Sequence, residues 1–276
     1  LLLMKLVVPM AGLGTRFASA LDQNSEYKKP KPFINVKGIP MVRWATGSLP
    51  FVEHPNQTVS SPIKVMPKDI VFIILKEHND AFKLEKGLKE IYSKDVNVIV
   101  LPALTRGAGE TAYQAKPFLN PEEDVLFSDS DHYFDGSILE KAILSQGMEN
   151  CGIIPVFTPP NDGIARWSYS LMKESSDEII QVGEKDPELM KKGAPANIGA
   201  YYFTKARYFF REVEEVMEKN EVSGPTGKGE FYIAPLYQRM LNKGMALKAA
   251  MLPEVWGLGT PEDLNYFLQY CKKEKP

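Results

Sequence analysis

Cysteine is nearly missing from this chain. Cys151 and Cys271 are the two among 276 residues, too few for a disulfide framework and without the spacing of a zinc site, so a reducing, cytoplasmic setting is expected. Histidine is as sparse: His54, His78 and His132 show no i, i+4 pairing, and no Ser or Cys stands in a nucleophile elbow. They read as ordinary core or surface side chains. Charge of either sign is not in excess, with 33 Lys and Arg against 35 Asp and Glu, so nothing draws nucleic acid or anionic lipid to the bulk surface. An anionic ligand has to be held by locally clustered cations. Long apolar runs are missing too. The opening Leu1-Leu2-Leu3-Met4-Lys5 is short and lacks a leading basic region, which reads as neither signal peptide nor membrane span and leaves Leu1 to Leu3 as a start-site artefact at most. What remains, 44% hydrophobic and 25% charged residues, suits one large domain with a core that needs no disulfide or metal, and excludes a disordered or fibrous protein.

The organising stretch is the apolar run Val7-Val8-Pro9-Met10, the turn Ala11-Gly12-Leu13-Gly14-Thr15-Arg16, and Lys31 in Lys29-Pro30-Lys31-Pro32-Phe33. A strand that runs into a glycine turn frees backbone N–H groups, and Arg16 and Lys31 add two cations close behind, which together make a receptor for polyphosphate. A tight turn with glycines for geometry alone is the plainer alternative. A dinucleotide fold wants a third glycine where Phe17 stands.

Periodicity predicts a strand over 5–10, the start of a helix over 14–20, a short strand over 33–36 and a helix over 40–49 opened by proline. The polar, proline-rich stretch 49–68 predicts a surface loop. Residues 69–75 are a continuous apolar run suited to a strand buried on both faces, and 77–92 reads as one amphipathic helix. A strand over 96–101, a helix over 110–118 and a strand over 124–127 continue the alternation. This predicts an α/β fold with a doubly wound, mostly parallel sheet, whose ligands collect at the carboxyl ends of strands, where Gly12, Gly107 and Asp131 fall. From Cys151 the pattern changes. Strand candidates over 151–157, 168–172, 179–182 and 197–203 crowd together, predicting antiparallel strands and a substrate lid added to the same sheet; helices over 208–218, 231–241 and 261–270 and a strand over 247–252 close the chain. No repeat or linker divides it, so a single domain over 1–276 is expected, with a nucleotide-binding half to about residue 150 and an acceptor-binding half from about 151. The glycine-rich run Gly224 to Gly229 is no Walker A, because Gly229 follows Lys228 where Ser or Thr is required.

Taken in order, Gly12-Leu13-Gly14-Thr15-Arg16, Pro30-Lys31-Pro32-Phe33 and Gly38-Ile39-Pro40-Met41 resemble the signature of the sugar-1-phosphate nucleotidyltransferases, or nucleotide-sugar pyrophosphorylases. Arg106-Gly107-Ala108-Gly109-Glu110-Thr111-Ala112 resembles that family's loop against the nucleobase, although a simple helix start would look the same. Val125 to His132 resembles the strand ending in its metal-binding aspartate, with Asp131 favoured over Asp129. Val182-Gly183-Glu184-Lys185 and Ala196-Asn197-Ile198-Gly199-Ala200-Tyr201 resemble its acceptor-binding elements. Two departures stand out: Ser168 replaces a glycine in Arg166-Trp167-Ser168-Tyr169, and Gly257 occupies the place of the second metal aspartate ahead of Gly259-Thr260-Pro261-Glu262-Asp263.

The resemblance implies a nucleotidyltransferase fold of the nucleotide-diphospho-sugar type, Rossmann-like, and transfer of a nucleoside monophosphate from a triphosphate to a sugar 1-phosphate or similar small phosphorylated acceptor. Pyrophosphate leaves. It implies Arg16 and Lys31 as catalytic cations, nucleotide contacts from Ala11, Gly12, Gly14, Thr15, Arg16, Gly107 and Ala108, acceptor contacts from Glu184, Lys185 and Asn197, and Mg²⁺ on Asp131. The implied setting is nucleotide-sugar synthesis for capsule or other cell-surface polysaccharide, with no nucleic acid or membrane partner and homo-oligomerisation left open. Loss of the aspartate at Gly257 motivates a rival, a non-catalytic nucleotide-binding or regulatory subunit on the same fold. The base, among cytidine, uridine and thymidine nucleotides, stays open.

Overall fold

A computed structural model describes residues 2–224 and 229–276. Leu1 and most of the Gly224 to Gly229 run lie outside the described residues.

The first half builds a parallel sheet. Strand β1 (Leu2–Met10) leads through the glycine turn to the one-turn helix α1 (Thr15–Ala18). A small hairpin, β2 (Asn35–Val36) and β3 (Ile39–Pro40), precedes α2 (Met41–Gly47), and β4 (Ile63–Lys64) and β5 (Ile70–Leu75) follow. Next come α3 (Lys76–Phe82), α4 (Leu84–Ile91), β6 (Asn97–Leu101), α5 (Ala108–Tyr113) and β7 (Asp124–Ser128). Every residue of β5 is buried, as its continuous apolar run requires of a strand covered on both faces. The predicted single helix over 77–92 is broken in two at Lys83, whose left-handed φ of 54° ends α3 and starts α4. Residues 49–68 form a surface loop only in their middle, where 53–62 is mostly exposed and without helix or strand. At its ends Leu49, Phe51, Val52, Ile63 and Val65 are buried, and β4 pairs in parallel with Leu2 and Leu3, so the ends belong to the core and β4 to the sheet. The scattered spacing of these apolar residues hid a packed segment that has no period of its own.

After β8 (His132–Phe134), which lies outside the central sheet and pairs with a later strand, and α6 (Ser137–Ser145), the second half continues the same sheet with mixed strands: β9 (Asn150–Phe157), β10 (Ser168–Met172), β11 (Ile179–Glu184), then α7 (Pro187–Lys191), β12 (Ala196–Asn197) and β13 (Ala200–Phe203). Helices α8 (Ala206–Glu218) and α9 (Ala234–Asn242), strands β14 (Ala246–Met251) and β15 (Val255–Gly257), and α10 (Pro261–Tyr270) complete the chain. The central sheet runs β11-β10-β12-β9-β13-β7-β1-β5-β6, with β14 added on β9 and β4 on β1. It is parallel from β7 to β6, while β13 joins β7 and β9 antiparallel and ties the halves together. Successive residues of β1 feed opposite faces: Val7 packs with Phe127, Phe203 and Phe209, whereas Leu6 and Val8 pack with Phe72, Leu126 and Tyr202. A third cluster, built on Phe17, Tyr27, Trp44, Leu258 and Phe267, sits beneath the glycine turn and Lys31. Helix α10 closes it, with Thr260 accepting the Asp263 N–H as N-cap. Among the described residues no helix is long and apolar enough to cross a membrane.

Candidate active site

The carboxyl ends of β1 and β7 open into a cleft of about 590 Å³ lined by the Ala11 to Gly14 turn, Lys31, the Leu104 to Ala108 loop, Asp129 to Asp131 and Glu230. The turn works through its free amides. Gly14 holds φ +65°, a conformation open to glycine without strain, and among the described residues the N–H groups of Gly12 to Thr15 donate to no carbonyl. Helix α1 is a single turn, so these exposed N–H groups, rather than a long helix dipole, carry the positive potential. Gly14 also brings Lys31 in: a Cβ there would lie 3.6 Å from the Lys31 Cβ.

Lys31 Nζ meets Asp131 Oδ2 at 2.6 Å, across the two strand ends. Burial would lower the Lys31 pKa, but the Asp131 carboxylate beside it, helped by Asp129, holds the ammonium above its ordinary value. Burial pulls Asp131 the other way, and the charge and hydrogen bond of Lys31, with Arg16 adding, keep its carboxyl below the ordinary carboxylate range. Asp129 is the converse. Burial, then the neighbouring Asp131 charge, push it up to about 7 against the pull of Lys31, and Glu184 adds to the rise. Its N–H donates to the Gly199 carbonyl at 2.8 Å, and its carboxylate lies so close over Gly199, φ +89°, that a Cβ would collide with it. His132 is buried and held neutral, pushed down to about 4 by burial, with Nε2 3.2 Å from the Ser128 hydroxyl.

The Gly107 loop is a braced structure. Gly107 adopts φ 139° and ψ 173°, a region reserved for glycine, as the residue before α5. Thr105 donates to the Gly107 carbonyl at 3.0 Å and its hydroxyl lies 2.6 Å from that of Thr111, while Arg106 and Glu110 pair at 2.7 Å. Gly109 N–H donates to the Phe231 carbonyl at 2.6 Å, so the loop rests on the segment that enters α9.

Of the residues singled out in the sequence, the cleft brings together Ala11, Gly12, Gly14, Lys31, Gly107, Ala108 and Asp131. Thr15 and Arg16 are exposed on the rim; Arg16 still acts electrostatically on Lys31 and Asp131. Glu184, Lys185 and Asn197 lie beyond the cleft lining, on the antiparallel side. Glu184 accepts a short hydrogen bond from Ser168, Asn197 Oδ1 accepts from Ser170 at 2.7 Å, and Lys185 reaches the Tyr232 hydroxyl at 3.0 Å. Burial, opposed by Ser168 and Lys185, raises the Glu184 pKa, to which Glu230 adds. Gly257 leaves the place of the second aspartate without a carboxylate of its own. It pairs with His132 across β15 and β8, and a Cβ on it would meet the Asp263 carboxyl carbon at 3.5 Å. The residue pressed against Asp131 is Gly259, whose Cβ would come within 2.7 Å of Asp131 Oδ2. That role was invisible in the sequence, because strand register rather than motif spacing decides which glycine faces the carboxylate. The helix expected over 231–241 starts only at Ala234, which leaves Phe231 and Tyr232 in the segment that rests on the glycine loop.

Among the described residues no three His, Cys, Asp or Glu side chains gather as a metal-binding group. Asp131, Asp129 and Glu230 are the carboxylates that line the cleft, and the repulsion between the two aspartates is one that a cation relieves.

No family model matches the chain, and no curated protein matches it significantly in sequence. Solved structures do match. The nucleoside-diphosphate-sugar pyrophosphorylase from Vibrio cholerae RC9 superposes with a TM-score of 0.70 at 22% identity, covering 96% of this chain and 99% of its own. The inositol-1-phosphate CTP transferase from T. maritima gives 0.64 at 15% identity, covering 97% of this chain and 96% of its own. At such identities the likeness establishes a shared fold over essentially the whole chain.

Proposed function

We propose that this protein is a nucleotidyltransferase that moves a nucleoside monophosphate from a nucleoside triphosphate to a sugar 1-phosphate or similar phosphorylated acceptor, releasing pyrophosphate. The observation that carries the reading is the Lys31–Asp131 pair at 2.6 Å, set between a turn of free amides and the glycine loop in one cleft. The Gly12 to Thr15 amides and Arg16 would hold the leaving β- and γ-phosphates, and the Gly107–Ala108 backbone would face the base. Lys31 would neutralise charge on the attacked phosphate. The acceptor phosphate is already an adequate nucleophile, so no general base is needed and the work is positioning and charge neutralisation. Glu184 and Asn197 would take acceptor hydroxyls and Lys185 its phosphate. Asp131, with Asp129, would hold Mg²⁺, which when bound supplies charge neutralisation at phosphate oxygens. A product of this kind serves nucleotide-sugar synthesis for surface polysaccharide in the cytoplasm.

The test is exchange of radiolabelled pyrophosphate into a mixture of nucleoside triphosphates, with Mg²⁺ and a panel of sugar 1-phosphates. Label entering a triphosphate supports the reading and reports the base. No label with any acceptor would favour a non-catalytic nucleotide-binding subunit, which a thermal shift with triphosphate would then reveal.

A further inference from the structure

Two loops and an aromatic pair meet at residues 230–232. Phe231 is locked to the glycine loop: its N–H donates to the Arg106 carbonyl at 3.0 Å, its carbonyl accepts from Gly109 at 2.6 Å, and the Arg106 guanidinium lies 4.7 Å from its ring centroid. The fit is tight enough to demand glycine on the loop side, since a Cβ on Gly107 would stand 2.7 Å from the Phe231 N and O, and one on Gly109 2.8 Å from the same carbonyl oxygen. The next residue faces the other half. Lys185 Nζ donates to the Tyr232 hydroxyl at 3.0 Å and sits 5.0 Å from the ring centroid. Lys185 itself is held at a left-handed φ of 49°, with its N–H donating to the Trp167 carbonyl at 2.9 Å. A non-glycine residue keeps that conformation when its surroundings over-determine it. Glu230 lines the cleft between the two contacts.

Resting on the nucleotidyltransferase reading, we infer that Tyr232 is a positioning residue that fixes the Lys185 ammonium beside the cleft, on its antiparallel side, and that its own placement is set by Phe231 docked against the glycine loop. One short strut then serves both substrates. The hydrogen bond to Tyr232 is the largest influence raising Lys185 above an ordinary ammonium; burial opposes it, and the facing Glu184 and Glu230 carboxylates add to it.

Trace acylation with an amine-reactive acetyl ester, read at Lys185 by peptide mass spectrometry, tests the contact without requiring turnover. Tyr232→Phe should raise the Lys185 labelling rate several-fold, by freeing the amine, while the exposed Lys191 labels as before. Gly109→Ala, which drives a methyl into the Phe231 carbonyl, should raise it as well. In kinetics with glucose 1-phosphate as probe acceptor, Tyr232→Phe should raise the acceptor KM about tenfold with the triphosphate KM unchanged, the scale of one hydrogen bond to a charged group. The effect should vanish in a Lys185→Met background. Unchanged labelling in Tyr232→Phe would overturn the positioning role, as would losses that multiply in the double variant; unchanged labelling in Gly109→Ala would overturn the link to the loop. A wild-type protein without any transfer activity defeats the functional reading instead, and the labelling comparison still decides this one.

Discussion

Replacing Gly259 with alanine tests the site through one methyl group. The added Cβ would lie 2.7 Å from Asp131 Oδ2 and 3.5 Å from its Cγ, so the carboxylate oxygen has to retreat by roughly 0.7 Å to reach ordinary contact. If Lys31 stays, its 2.6 Å pairing stretches to roughly 3.3 Å, past the ordinary N–H···O range of about 2.7–3.2 Å. Displacing one preorganised charge contact costs about 10²-fold in turnover, the expected result in the pyrophosphate exchange assay. Gly259 needs no left-handed backbone, so the fold should survive the substitution and a melting curve recorded beside the assay should separate chemistry from folding. Gly257→Ala is the matched control: its methyl would meet Asp263 at 3.5 Å, an ordinary contact, and activity should stay near wild type. Full activity in Gly259→Ala, or a large loss in Gly257→Ala, would refute the placement of Asp131.

Lys31→Ala and Arg16→Ala should each lower exchange by about 10²-fold or more, and near-normal turnover of both purified variants would remove the cations from the chemistry. Asp131→Asn should abolish metal-dependent activity while Asp129→Asn does less harm, because Asp131 alone of the two pairs with Lys31; side-by-side Mg²⁺ titrations would expose the opposite ranking. His54 is buried, its ring nitrogens unpartnered among the described residues, and it is pushed down to about 3 by burial and then by Arg43. Its folded pKa lies below the ordinary 6.5, so the stability it leaves intact above pH 6.5 is lost as pH falls toward 3. Between pH 7.5 and 4.5 that amounts to about 2–3 kcal/mol. Urea melts at both values should show His54→Phe losing that much less than wild type, and parallel losses would refute it.

The elements legible in the sequence were those with a strong local signal. Residues 70–75 are apolar without interruption, the closing helix carries its own Thr-Pro cap and start, and the Gly12 and Gly107 turns mark themselves by residue type. The cleft-lining residues named in advance came from these turns and from strand ends. What stayed hidden depends on long-range register. Helix α6 follows Gly136, whose missing side chain admits the Ser48 carbonyl, and β8 and β15 are three residues each, defined by pairing with one another. Lys83 breaks a helix that its flanking periodicity would continue, and the buried segment around Phe51 owes its place to β1 and β5 rather than to any pattern within it.

The antiparallel strand β13 bears on how this molecule can move. It is hydrogen-bonded to β7 of the first half and to β9 of the second, and both flanking strands are buried in large cores. Bending the two halves about a hinge would therefore shear a continuous ladder and open packed aromatic contacts such as Phe127 against Phe203 and Phe209. Swinging closure of whole lobes, on the slow microsecond-to-millisecond scale, is thus the costly mode for this architecture. The cleft keeps a fixed floor, and accommodation of ligands of different length falls to the rim: the Gly12 turn, the Lys31 segment and the side chains around Lys185. Relaxation measurements should accordingly find sheet residues across β7, β13 and β9 rigid together, with exchange confined to that rim.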